Sequence, residues 1–157
     1  MKRLIRLCPQ CQRFSQLKVP IVTKSFTNSS YNPWYRVQID TITSLPKDSK
    51  GNTAIIVIID CFSRYITLYP VKQVNAQAGC DAILDLIKHF PSPAEIISYN
   101  GVENTSIQVE ELIAMLSIHH QTIQPGSHEE SGIAERANKE VLRHLRTIVY
   151  DRRLRDD

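Results

Sequence analysis

A chain of 157 residues is long enough to bury the core of one domain, and 42% hydrophobic with 22% charged residues is the composition of a globular protein, neither disordered nor fibrous. No apolar run approaches the roughly 18 residues a membrane span needs, and the basic opening Met1-Lys2-Arg3-Leu4-Ile5-Arg6-Leu7 is too short in apolar residues for a secretion signal. The net charge of +3 is unevenly spread, with no acid before Asp40 and a second basic stretch from Arg136 to Arg155. That distribution suits a polyanion such as nucleic acid, or equally a solvated surface with a basic tail.

In chain order, residues 12–33 lack periodicity and carry Ser, Thr, Asn and Pro, which reads as a linker. Strand one is predicted from Tyr35 to Ser44, followed by a turn over Pro46-Lys47-Asp48-Ser49-Lys50-Gly51-Asn52. Strand two, Thr53 to Asp60, is β-branched and continuously apolar, as a central strand should be. Strand three, Tyr65 to Val71, follows closely enough to form an antiparallel hairpin.

A helix is predicted from about Asn75 to Phe90, stopped by Pro91 and Pro93, with Ala78, Ala82, Ile83, Leu86, Ile87 and Phe90 at helical spacing. Ile96 and Ile97 mark a short strand four, a second helix runs from Ser106 to Leu116, and His119 to Ile123 forms strand five. After a polar loop at 124–131, a last helix begins near Ser131 or Gly132 and reaches about Tyr150. Its apolar stripe (Ile133, Ala137, Val141, Leu145, Ile148, Val149) should pack on the sheet, while Arg136, Lys139, Arg143 and Arg146 form a basic stripe. Periodicity by itself supports an α/β protein with helices packed on a mixed sheet.

Four local sequences then point further. Gln38-Ile39-Asp40-Thr41-Ile42 and Ile58-Ile59-Asp60-Cys61-Phe62-Ser63-Arg64-Tyr65 resemble strands one to three of gypsy-type retrotransposon integrases. Ser98-Tyr99-Asn100-Gly101-Val102-Glu103 resembles their Ser-Asp-Asn-Gly motif, and Gly132 to Asn138 followed by Leu142-Arg143-His144-Leu145-Arg146 resembles their glutamate helix. Thirty-five residues lie between Tyr99 and Glu135, the interval between the last two members of that family's Asp, Asp, Glu triad. The chain is thus identified as a member of the retroviral and retrotransposon integrase superfamily, over residues 30 to 150.

The resemblance implies a ribonuclease H-like α/β fold: a mixed five-stranded sheet, three antiparallel strands then two further ones, with helices on both faces. It implies three regions: 1–14 as the remnant of an N-terminal zinc-binding domain, 15–33 as a linker, and 34–157 as a C-terminally truncated catalytic core. The implied catalytic and metal-binding residues are Asp40 and Glu135, with Tyr99 at the place of the missing aspartate. Two-metal phosphoryl transfer needs hard anionic oxygens for Mg2+ or Mn2+, and a neutral phenol with pKa near 10 is a poor substitute. Weak metal binding and impaired DNA integration are therefore expected.

Asp60 is the first candidate for a replacement ligand, although the family uses that position structurally. Glu103 fits the family pattern after Asn-Gly and is assigned no ligand role. Asn104 stands where the family has an aromatic residue, and its loss should loosen the loop after strand four. Lys139, one turn after Glu135, either pairs with it or joins Arg136, Arg143 and Arg146 in binding DNA phosphates. Cys8 and Cys11 supply half a zinc site, useful for Zn2+ only with an upstream histidine pair; Cys61 and Cys80 look like core thiols.

The expected partners are DNA and a second or further copy of the chain, with no membrane, in an intracellular and nuclear setting. The alternatives are an active integrase with a substitute ligand and a recruited protein-interaction module. Metal-dependent strand transfer would mark the first, and DNA binding that weakens with salt would argue against the second.

Overall fold

The computed structural model describes residues 32–123 and 128–150. Strands β1 (Arg36–Ile42), β2 (Ala54–Asp60) and β3 (Ile66–Val71) form an antiparallel meander. Helix α1 (Ala76–His89) leads to β4 (Glu95–Tyr99), then to the one-turn helix α2 (Val102–Thr105), α3 (Ile107–Met115), β5 (His119–Ile123) and the long helix α4 (His128–Tyr150). The sheet order is β3-β2-β1-β4-β5, with β4 and β5 added parallel to β1. This is the expected mixed five-stranded, ribonuclease H-like sheet with helices on both faces.

Alternation along β1 sorts the two layers. Val37 and Ile39 join Ile56, Ile58, Ile96, Ala82, Ile83, Leu86, Val109 and Ile113 in a core under α1 and α3. Ile42, Val57 and Ile59 pack instead against Ala134, Ala137 and Val141 of α4. All of β2 is buried, as its unbroken apolar run requires; each such side chain contributes about 1.5–3 kcal/mol relative to exposure.

Turn chemistry sets the local geometry. The Asp48 carboxylate accepts from the Lys50 and Asn52 amides at 2.9 and 2.7 Å, and Gly51 takes φ +89° to close that loop. Asn75 caps α1 by accepting from Ala78 N at 2.9 Å. Beyond the helix, Phe90 stacks on Trp34 with ring centroids 3.9 Å apart.

Several boundaries differ from expectation. Strand one ends at Ile42, and α4 begins at His128, one turn earlier than its apolar stripe suggests. Ile148, expected in that stripe, is 54% exposed. A helix of 23 residues runs about 34 Å, longer than strands of five to seven residues can cover. Helix α2 was not expected, because one turn is too short to show a period. Among the described residues, no helix is long and apolar enough to cross a membrane.

Candidate functional site

The carboxyl ends of β1 and β4 place Asp40 and Tyr99 side by side. They lie one step beyond the Ile39–Ser98 pair, on the sheet face covered by α4. Asp40 Oδ2 accepts from the Asn138 side-chain amide at 2.6 Å, and its Oδ1 accepts from the Thr41 N–H at 2.8 Å. Asn138 stands one helical turn after Glu135, which brings that residue to the same place. Burial pushes the Asp40 carboxyl above its ordinary range; the Thr41 and Asn138 hydrogen bonds oppose this, and the charges of Glu103 and Glu135 add to it.

Glu103 is the neighbour sequence reasoning passed over. Its residue is 7% exposed, and Oε1 accepts from the Thr41 hydroxyl at 2.7 Å. Thr41 points to the α1–α3 side of the sheet, so it holds both acids: its N–H on Asp40, its hydroxyl on Glu103. Two glycines make room for this. A Cβ at Gly79 of α1 would lie 1.9 Å from the Glu103 carbonyl oxygen, and one at Gly101 would lie 2.5 Å from the Glu103 carboxylate. Glu103 belongs to a motif legible in sequence, but its burial depends on α1 pressing α2 against the sheet end.

Asn104, the residue after Glu103, is 4% exposed. The N–H groups of Asn104 and Thr105 both donate to the Gly101 carbonyl at 2.9 Å, so the segment after β4 is wound into α2 and seated under α1.

Asp60 is excluded as a substitute ligand. It pairs with Val37 while Asp40 pairs with Val57, about 10 Å away along the strand and on the opposite face. Its carboxylate accepts from the N–H groups of Trp34 (3.0 Å), Phe62 (3.2 Å) and Ser63 (2.9 Å) and from the Ser63 hydroxyl (2.6 Å). Burial works to raise its pKa, but these donors hold it below the usual carboxylate range.

Along α4 the basic residues Arg136, Lys139, Arg143 and Arg146 are all exposed. Arg143 is already engaged, donating to Glu140 at 2.7 and 2.9 Å. Lys139 stands exposed one turn after Glu135. Arg64 and Arg136 flank a cavity of about 480 Å³ floored by Ile59, Ile66, Ile133 and Ala137.

Cys61 is buried, and its thiol is pushed up to about 11 by that burial; Cys80, expected in the core, is only half-buried. Cys8 and Cys11, and the regions assigned to 1–14 and 15–31, lie outside the described residues.

Among the described residues, no group of three or more His, Cys, Asp or Glu side chains stands at metal-ligand spacing. The charges of Glu103 and Glu135 are felt at Asp40, and the Asn138 Oδ1 is buried with no hydrogen-bond partner.

A β-β-β-α-β-α-β-α sheet with acids gathered at the carboxyl ends of its central strands defines a class that comparison makes specific. The profile of the "Integrase core domain" family matches residues 30–128, and the chain belongs to that family. It is 24% identical over 151 residues (95% of this chain, 12% of the relative) to the "Retrovirus-related Pol polyprotein from transposon 412" of Drosophila melanogaster. It is 26% identical over 152 residues (96% and 13%) to the Pro-Pol polyprotein of simian foamy virus type 3. It is 30% identical over 121 residues (76% and 9%) to the transposon Tf2-3 polyprotein of Schizosaccharomyces pombe.

The chain therefore spans about a tenth of the length of these relatives. Its fold matches the catalytic core domain of BIV integrase with a TM-score of 0.63 at 24% identity, covering 75% of this chain and 73% of that one. Members of the family depend in general on divalent metal, bind DNA and oligomerise.

Proposed function

We propose that this chain is the integrase core of a gypsy-type retroelement whose strand-transfer chemistry is impaired while nucleic-acid binding is kept. The observation that carries this reading is Tyr99 at the end of β4, beside Asp40, where the family's triad has an aspartate. A phenol offers one oxygen, neutral at pH 7, where a carboxylate would offer two anionic ones.

Asp40 and Glu135 would hold a divalent ion, and such an ion supplies Lewis-acid stabilisation of charge at a scissile phosphate. Asn138 and the Thr41 N–H orient the Asp40 carboxylate. Arg136, Lys139 and Arg146 give α4 an exposed set of cations free to meet a DNA backbone, with Arg143 shared with Glu140. Loss of one metal-bridging carboxylate removes several kcal/mol of transition-state stabilisation, and each ~1.4 kcal/mol is tenfold in rate.

The remaining parts of the reading are a nuclear site of action, a homodimer or larger assembly, and a zinc-binding remnant at 1–14 carrying Cys8 and Cys11. The test is a disintegration assay on branched DNA with Mg2+ or Mn2+. Tyr99→Asp is compared with the unmodified chain, and Asp40→Asn in the Tyr99→Asp background is the negative control. Activity only in Tyr99→Asp is expected; activity in the unmodified chain would refute impairment.

A further inference from the structure

On the sheet face covered by α4 lies a cavity that no part of the proposed chemistry uses. It measures about 480 Å³, a size suited to a small molecule, and neither Asp40, Tyr99 nor Glu135 lines it. Ile59 of β2 and Ile66 of β3, paired in register, give its floor from the sheet. Ile133, Arg136, Ala137 and Glu140 line it from α4, at the i, i+3, i+4, i+7 spacing of one helix face.

Its charge is one-sided. Glu140, the acid of the lining, already accepts from the Arg143 guanidinium at 2.9 and 2.7 Å. The cations of the lining, Arg64 and Arg136, are both exposed. Arg64 is held in place by its turn. Its φ of +65° is left-handed, where a Cβ is crowded and glycine would be relaxed. Asp60 imposes this, its carbonyl accepting from Arg64 N at 2.9 Å and its carboxylate from the Phe62 and Ser63 amides. A guanidinium with a fixed root loses less freedom when it meets an anion. Gln38 adds a donor on the same row of the sheet: it pairs in register with Ile59, is 1% exposed, and its Nε2 has no acceptor.

We propose that this cavity binds a small organic carboxylate, aryl or branched-alkyl, with its apolar body on the isoleucine floor and its carboxylate between Arg64 and Arg136. The planar fork of a guanidinium matches the two oxygens of a carboxylate. A neutral ligand of the same shape would leave both guanidiniums to water, and an inorganic anion would leave the floor wet. The need for both halves separates this site from a plain basic patch. It stands independently of Asp40 and Glu135 as metal ligands.

The probe is naphthoate, titrated into the 157-residue chain with its isoleucine and alanine methyl groups labelled for NMR. Saturable shifts are expected at Ile59, Ile66, Ile133 and Ala137, while Ile83 and Ile113, in the core on the opposite face, stay unmoved. Naphthalenemethanol, the neutral counterpart, should bind about tenfold more weakly. Arg64→Gln and Arg136→Gln should each weaken naphthoate about fivefold, and Lys50→Gln, in the β1–β2 turn, should leave it unchanged. Gly132→Phe should abolish binding without unfolding the chain, because Gly132 lines the cavity and a Cβ there meets no atom within 4 Å.

Absence of saturable shifts, or shifts confined to other residues, overturns the site. Equal affinity for acid and alcohol, with both arginine variants binding as the parent does, overturns the role of the guanidiniums and the proposal with it. Unchanged binding by Gly132→Phe places naphthoate outside the cavity. Shifts of Ile59 and Ile66 that follow protein concentration without naphthoate would show a second copy filling the space, and would equally refute a small ligand.

Discussion

Replacing Asp60 by alanine removes, in one step, the acceptor for three backbone N–H groups and a hydroxyl. The residue has no exposed surface, and the part-buried Trp34 donor, 26 residues away in sequence, loses its partner. The Phe62 and Ser63 amides belong to exposed residues and can recover water. Counting about 1–3 kcal/mol for a stranded buried donor, and less for those that recover water, gives a loss of about 3 kcal/mol. For a chain of this size that is a fall in Tm of roughly 6–12 °C.

Urea unfolding followed by the fluorescence of Trp34, the sole tryptophan, reads this directly, because the same residue donates to Asp60 and stacks on Phe90. The pH dependence gives a second reading. The folded pKa of Asp60 lies below 3.8, so its stabilisation is complete at neutral pH and is lost as pH falls below about 4. Asp60→Ala should flatten that acid limb. A stability change under ~1 kcal/mol, or a loss of Mn2+ affinity with stability intact, would refute the structural role and return Asp60 to the list of metal ligands.

Gly79→Ala drives a methyl to 1.9 Å from the Glu103 carbonyl oxygen, so α1 and α2 must separate; a loss of about 1–3 kcal/mol or more is expected by thermal melting, and an unchanged Tm would contradict the close approach. Arg136→Ala with Arg146→Ala should weaken DNA binding in fluorescence anisotropy and lower the salt slope by about two; Arg143→Ala should do less, because that guanidinium is shared with Glu140. Equal effects from all three would show that the Glu140 pairing is broken on DNA. Cys61 should resist alkylation at pH 8, where a thiol with pKa about 11 is about one part in a thousand thiolate; peptide mass spectrometry should find Cys80 modified at least tenfold faster.

Much of this protein is legible in its sequence. The unbroken β-branched run of 53–60 could only be a central strand, the apolar spacing of 76–89 could only be a helix facing a core, and the motifs around Asp40, Tyr99 and Glu135 carry the family with them. These are local signals, written in period and in residue type, and they survive without knowledge of what packs against them.

Tertiary structure alone decided which acids come near Asp40. Along the chain Asp60 is the first candidate for a replacement ligand, and Glu103, inside its own motif, is assigned no such role. Pairing of β2 with β1 turns Asp60 to the wrong face, where four donors occupy it. The packing of α1 on a helix of one turn, through Gly79, buries Glu103 beside Thr41 and Asp40. A side chain's chemistry follows from its sequence, but its charge neighbours lie 60 to 100 residues away and are set only when the sheet closes.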